Sequence, residues 1–223
     1  MIRILTEYGE MLFKAMGQTL LLALCSLFFA CIIGLAFGLL SVMKNRACRV
    51  IYQIFVDIIR GVPMIVLAFF VYFGIPYFFT NFLGVRLILT ALQAGTISLS
   101  LNCGAYMAEI IRAGIQSVDK GQMEAARSLG LPYWRSMQRV VMPQAIKTMI
   151  PSIINQFIIT LKDTSILSVI GFPELVNSAK NVIATTFMSF QTWLIVAIMY
   201  LVIITALSRL AKLLERRLNR GRE

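Results

Sequence analysis

The sequence contains no histidine, and only 14% of its 223 residues are charged. Without histidine, the chain lacks the commonest metal ligand and the commonest general base. It also lacks the GxxxxGK[ST] signature, so it has no P-loop to hold the phosphates of ATP. We therefore predict that this chain carries no catalytic residues, no metal site and no cofactor.

Cysteine is also scarce, with four residues and no CxxC pair. The four cysteines lie in apolar or near-membrane segments: Cys25, Cys31, Cys48 and Cys103. This distribution is typical of small buried apolar residues rather than of disulfides or metal ligands.

Apolar residues, by contrast, make up 59% of the chain, and the mean hydropathy is +0.82. Soluble domains are less apolar, nearer one half even when glycine is counted. The composition therefore predicts an all-α polytopic membrane protein that forms a single domain over residues 1–223. The net charge of +11 is typical of basic cytoplasmic loops, so we do not expect nucleic-acid binding.

Five apolar segments are long enough to cross a bilayer, which requires about 20 residues. They are residues 16–43, 50–79, 87–107, 146–170 and 190–207. If the N-terminus lies outside and the C-terminus in the cytoplasm, sixteen Lys and Arg residues fall in inner segments and four in outer ones. This asymmetry supports the orientation, because cytoplasmic loops are enriched in Lys and Arg.

The second apolar segment contains a predicted break. Residues 50–79 would form a helix roughly 45 Å long, more than the ~30 Å hydrocarbon core. Gly61 and Pro63 can interrupt it, and an interrupted apolar segment is a good indicator of a transporter site. Asp57 and Arg60 precede the break, either as part of a substrate path or as an intrahelical i, i+3 pair.

Polar residues also recur inside the third and fourth segments. Asn102 and Tyr106 are four residues apart, so they share a helix face. Lys162 and Asp163 lie deep in the fourth segment, where charges should face a protein interior or a water-filled cavity. Two interpretations stay open for this pair: a role in the substrate path, or a structural ion pair that joins spans or protomers.

Residues 109–145 are too basic to cross hydrocarbon, and they therefore form a long cytoplasmic loop. Within the loop, residues 122–129 favour a short helix that Gly130 ends. The apolar face of this helix is expected to comprise Met123, Ala126 and Leu129. The helix either rests on lipid headgroups or docks onto a soluble partner.

The same loop resembles a known motif. Glu124, Ala125 and Ala126 are followed by Gly130 after three residues, and by Val140-x-Met142-Pro143 after nine more. This resembles the EAA motif in the permease subunits of binding-protein-dependent ABC importers, with Val for Ile and Met for Leu at its end.

The flanking sequences narrow the resemblance, which covers about residues 19–217. Three segments look like those of polar amino-acid permeases that serve histidine, arginine, glutamine or cystine. They are Arg60-Gly61-Val62-Pro63, Asn102 through Glu109, and Lys162-Asp163-Thr164-Ser165.

The resemblance implies a type I ABC importer transmembrane domain, with a MetI-like fold, in the bacterial cytoplasmic membrane. It implies that two permease chains pair and that a dimer of separate ATPase subunits binds ATP and Mg. An extracytoplasmic solute-binding protein would deliver the amino acid. The residues that would couple to the ATPase are Glu124, Ala125, Ala126, Gly130 and Pro143. Those of the substrate path would be Asp57, Arg60, Gly61, Pro63, Asn102, Tyr106, Lys162 and Asp163.

Two alternatives remain open from the sequence. The first is a secondary transporter or channel that works without an ATPase and is driven by ions through Asp57, Glu109 and Asp163. The second is an ABC permease for another substrate, such as an osmolyte, methionine or an anion.

Overall fold

The structure, a computed structural model, describes residues 2–219, with side chains described up to Leu213. Met1 and residues 220–223, the end of the basic tail predicted to be cytoplasmic, lie outside the described residues. The α-helices are α1 (Ile2–Val42), α2 (Arg46–Gly61), α3 (Met64–Phe69), α4 (Ile75–Phe82), α5 (Ala91–Gln116), α6 (Lys120–Ser128), α7 (Tyr133–Ser136), α8 (Met142–Asp163), α9 (Leu175–Thr186) and α10 (Ser189–Asn219). Between residues 2 and 219 there is no β-strand.

The centre of the fold is the contact between α1 and α5. Gly34 and Gly38 of α1 face α5, and a Cβ built on Gly38 would lie 2.8 Å from the Cβ of Ile111. A Cβ on Gly34 would overlap Met107. The GxxxG spacing therefore allows the two backbones to approach closely within one chain.

Helix α2 ends at the predicted break. Val62 and Pro63 both have extended backbone angles, and α3 starts directly after Pro63. The restart follows from the sequence, since proline has no N–H to lose at the start of a helix. The break opens a space between α2–α3 and the neighbouring helices, and polar side chains line this space.

Two short π-helical turns occur in the structure, and each precedes a proline by two residues. One covers Phe70–Gly74 before Pro76, and the other covers Met137–Val141 before Pro143. Proline removes one backbone donor and its ring clashes with the preceding turn, so the wider π geometry accommodates it without ending the helix.

The basic loop predicted over residues 109–145 is mostly helical. Helix α5 continues to Gln116, and helical structure resumes at Tyr133 and runs, through the second π turn, to Ile170. Only short stretches around α6 are non-helical. The helices run past the predicted span limits, because polar residues mark where a helix leaves the membrane and not where it ends.

Four helical segments of the described chain are long and apolar enough to cross a membrane. They are Ile2–Val42, Met64–Phe82, Tyr133–Ile170 and Ser189–Leu213. Helix α5 is not among them, although its 26 residues span roughly 39 Å. Its small and polar residues are buried against α1 and α8, so it needs little apolar surface of its own. The five-span count and the orientation stay predictions.

A buried polar cluster around Glu174 joins α1, α9 and α10. Glu174 is 0% exposed and accepts hydrogen bonds from two backbone N–H groups in the first turn of α9. The hydroxyl of Tyr200 on α10 donates to it at 3.3 Å, and Thr19 of α1 accepts from the N–H of Leu175 at 3.1 Å. Burial raises the pKa of Glu174.

We expect Glu174→Ala to lower stability by about 1–2 kcal/mol, because it removes a helix N-cap and leaves buried N–H groups unpaired. Glu174→Gln keeps an acceptor without the cost of a buried charge, so its effect should be smaller. Thermal unfolding of the purified proteins in detergent checks this order. An alanine variant as stable as the parent would show that the cap contributes nothing.

Candidate functional site

Helix α6 carries the EAA segment and is fixed at both ends. The side chain of Asp119 accepts a hydrogen bond from the N–H of Gly121 at 2.7 Å. At the other end, Gly130 has φ +82°, and the N–H of Leu131 donates to the carbonyl of Ala126 at 3.2 Å. The left-handed residue with this bond forms a Schellman motif, which glycine adopts without strain.

One face of α6 attaches it to the helix bundle. Ala126 is 4% exposed, and Met123 packs against a cluster of α5, α8 and the π turn before α8. The amide of Gln144 on α8 also donates to the side chain of Gln122 at 3.3 Å. Helix α6 is therefore attached to the bundle rather than being a free loop.

The opposite face of α6 is open. Glu124 and Ala125 are exposed, and Leu129 is 84% exposed. Of the predicted apolar face, Ala126 is buried and Met123 is half-buried, whereas Leu129 is exposed. The helix ends at Ser128, and the turn into Gly130 directs the Leu129 side chain away from the bundle.

A cavity of about 450 Å³ lies at the break between α2 and α3. Its walls come from the break, from α5 and from α8. They comprise Arg60, Gly61, Val62, Pro63, Met64, Asn102, Tyr106, Gln156, Ile159 and Asp163. We call this the central cavity. It brings together residues from three separate motifs, and it contains one cationic and one anionic side chain.

Two contacts define the polar groups of the central cavity. The guanidinium of Arg60 lies over the ring of Tyr106, 4.9 Å from its centroid, which is a cation–π distance. Gln156 is only 6% exposed, yet its Nε2 has no hydrogen-bond partner in the described part of the chain. Leaving this buried N–H group without a partner costs free energy, because the group has lost its hydrogen bonds to water.

A second polar cavity of about 620 Å³ adjoins the first, and Arg60 lines both. We call it the vestibule. On its wall, Glu109 is paired with Arg112 and accepts a hydrogen bond from Tyr52. The hydrogen bond from Arg112 holds the pKa of Glu109 below its usual value. Glu109 is therefore engaged in a structural pair.

The structure separates some residues that the sequence grouped. Asp57 lines the vestibule but not the central cavity, and no ion pair joins it to Arg60 within the described residues. Lys162 is exposed and does not line the central cavity, and the described chain shows no ion pair between it and Asp163. Gln156 was not among the predicted site residues, although its i, i+7 spacing to Asp163 indicates a shared face.

The sequence matches a known family of membrane transport proteins over most of its length. The family model described as the binding-protein-dependent transport system inner membrane component matches residues 12–220. The chain belongs to this family. The glutamine transport system permease protein GlnP of Escherichia coli K12 is 34% identical to this permease over 208 residues, which cover 93% of each chain.

Solved structures agree with the family assignment. A chain in the crystal structure of an amino acid ABC transporter with histidines has a TM-score of 0.88 and 36% identity, with 96% of both chains covered. A chain of the MetNI methionine ABC transporter in an inward-facing conformation has a TM-score of 0.77 at 18% identity, covering 95% of this chain and 97% of that one, which shows the fold.

The predicted all-α, MetI-like fold is confirmed by these matches. The chain is a permease subunit of an ABC importer, a multi-pass protein of the bacterial inner membrane and a transport component rather than an enzyme. Membership implies an ATPase and a substrate-binding protein as partners.

Proposed function

We propose that this permease carries a polar amino acid through the central cavity, powered by a separate ATPase. The observation that carries the proposal is the placement of Arg60 and Asp163 on one cavity. A free amino acid is a zwitterion, so its carboxylate can pair with Arg60 and its ammonium group with Asp163.

The rest of the lining favours a neutral side chain on the substrate. Asn102, Tyr106 and Gln156 can donate or accept hydrogen bonds but carry no charge. A site that hydrogen-bonds a polar substrate group discriminates against ligands that lack this group, because the polar groups of the site are then left unpaired. Glutamine satisfies this requirement, and the similar Escherichia coli permease is named for glutamine transport.

We further propose that α6 is the coupling element. Its exposed face would lie in a groove of the ATPase subunit, with Glu124 and Ala125 in contact and Gly130 allowing the turn. Pro143 lies at the start of α8, so movement of α6 would be transmitted along that helix. Family resemblance supports this role, as does the attachment of α6 to α5 and α8.

The remaining architecture is also proposed. Two permease chains, identical or similar, would pair and be held by two ATPase subunits. Helix α5 would complete the set of five spans, as the third of them along the chain. The N-terminus would lie outside and the C-terminus in the cytoplasm. The distribution of Lys and Arg supports this orientation.

Replacing Asp163 by asparagine should reduce uptake of labelled glutamine roughly tenfold or more. The expected size follows because a hydrogen bond to a charged group contributes about 1.5–3 kcal/mol. Uptake is measured in proteoliposomes that hold the permease, its ATPase and ATP, with the binding protein outside. Glu10→Gln is the matched control, since it removes an exposed carboxylate far from the cavity.

Normal uptake by the Asp163→Asn variant would exclude the central cavity as the substrate site. The same assay tests the alternative of a self-sufficient transporter. Uptake that persists without the ATPase and depends on an ion gradient would support that alternative and contradict the present proposal.

A further inference from the structure

An apolar groove of about 510 Å³ opens at the turn between α1 and α2, where the end of α5 and the α7 region meet it. We call it the α1–α7 groove. It is lined by Leu39, Val42, Met43, Lys44, Asn45, Ile115, Tyr133, Trp134, Met137 and Met142. The volume is within the ~300–1,000 Å³ range typical of small-molecule sites. The groove shares no lining residue with either polar cavity and plays no part in the proposed substrate path.

The position of the groove is set by the end of the first span. No charged residue occurs from Ala15 to Met43, and Lys44 is the first charge after this run. The groove includes both the last apolar residues of the first predicted span and Lys44, so we place it at the boundary between hydrocarbon and headgroups. Trp134, 66% exposed, and Tyr133 lie at the same level, where aromatic residues are enriched in membrane proteins.

Lys44 gives the groove its chemical selectivity. Its ammonium group lies 5.4 Å from the centroid of the Tyr133 ring, at the edge of the groove. Among the described residues it forms no salt bridge. A cation at headgroup depth beside an apolar groove is complementary to a phosphate attached to an acyl chain.

We propose that the α1–α7 groove binds one anionic phospholipid, with an acyl chain along the apolar lining and the phosphate beside Lys44. The location in the cytoplasmic leaflet rests on the proposed orientation, whereas the binding itself does not depend on the transported substrate. Because α7 directly follows α6, the bound lipid would stabilise the connection between the coupling helix and the membrane.

The chemistry of the groove favours a lipid over the ATPase. Its lining is almost wholly apolar, whereas the neighbouring surface of α6 offers charged and polar groups to a soluble partner. Acyl chains can cover an apolar surface at membrane depth directly. A soluble protein would first have to lose the water on its own surface.

Fluorescence quenching tests this proposal directly. The permease has two tryptophans, so Trp193→Phe leaves Trp134 as the sole reporter. The full-length variant is placed in phosphatidylcholine nanodiscs that contain a small, fixed fraction of brominated phosphatidylglycerol or, in parallel, brominated phosphatidylcholine. In titrations, we expect the anionic lipid to bind roughly fivefold more tightly than phosphatidylcholine. This factor corresponds to the attraction of one lysine near the membrane surface for an anionic headgroup.

In the Lys44→Gln variant, quenching by brominated phosphatidylglycerol should fall to the level seen with brominated phosphatidylcholine. Arg49→Gln is the matched control, because Arg49 lies in the same basic turn but lines the vestibule. Equal quenching by both lipids in the parent, or a preference that survives Lys44→Gln, would overturn the proposal. Loss of all lipid quenching when the ATPase is added would also overturn it, since the groove would then be a protein contact. The lipid assay does not depend on transport. A permease that fails to carry amino acids should therefore show the same lipid preference.

Discussion

Replacing Leu129 by aspartate should detach the permease from its ATPase while leaving the chain folded in the membrane. The side chain is 84% exposed, so the fold of the isolated chain does not depend on it. An exposed leucine beside polar residues is suited to fill a pocket on a partner, and the few hot-spot residues at the centre of an interface contribute about 2 kcal/mol or more. A loss of that size weakens the complex roughly thirtyfold.

Co-purification of the tagged ATPase with the permease measures this effect, together with the amount of permease in the membrane. Leu129→Met is the matched control, since it keeps an apolar side chain of similar volume, and it should retain the ATPase. If the aspartate variant still co-purifies and transports at the parental rate, then α6 does not dock in the way we propose.

Replacing Gly38 by alanine should be a strongly damaging single-methyl change at the contact between α1 and α5. The added Cβ would lie 2.8 Å from both Cβ and Cγ2 of Ile111, and 3.3 Å from the carbonyl of Ala108. Ile111 is β-branched and stiff at χ1, so rotation cannot relieve the overlap. Overpacking of this kind typically costs about 1–3 kcal/mol, and here it would separate α1 from α5.

Gly17→Ala is the matched control for Gly38→Ala, because it makes the same chemical change in the same helix. A Cβ at Gly17 would meet no atom within 4 Å. Alanine there should be neutral or stabilising by about 0.5–1 kcal/mol, owing to its better helix propensity. Thermal unfolding in detergent compares the two variants, at roughly 2–4 °C per kcal/mol for a chain of this size. Equal midpoints would show that the α1–α5 contact tolerates a methyl group.

The sequence was most informative where residue type and spacing act together. The EAA spacing identified the α6 segment, and Gly130 indicated its end because few other residues adopt φ +82°. Gly61 and Pro63 likewise indicated the break, since glycine and proline close together both disfavour a helix interior.

What the sequence could not predict depends on the direction of side chains across helices. Lys162 and Asp163 are adjacent in sequence, yet about 100° apart around a helix, so only Asp163 lines the central cavity. The stacking of Arg60 on Tyr106 joins α2 to α5, which no local pattern encodes. The exposure of Leu129 follows from the exact residue at which α6 ends, and helix ends are hard to place to within one residue.

ATPase stimulation in liposomes tests the central claim most directly. The permease is reconstituted with its ATPase, and the binding protein is added with each amino acid of a polar panel. We predict that ATP hydrolysis rises with a neutral amide amino acid, glutamine first, and that Asp163→Asn removes the rise while the complex persists. A stable complex that no polar amino acid stimulates would contradict the assigned substrate class, and the absence of any complex would contradict coupling through α6.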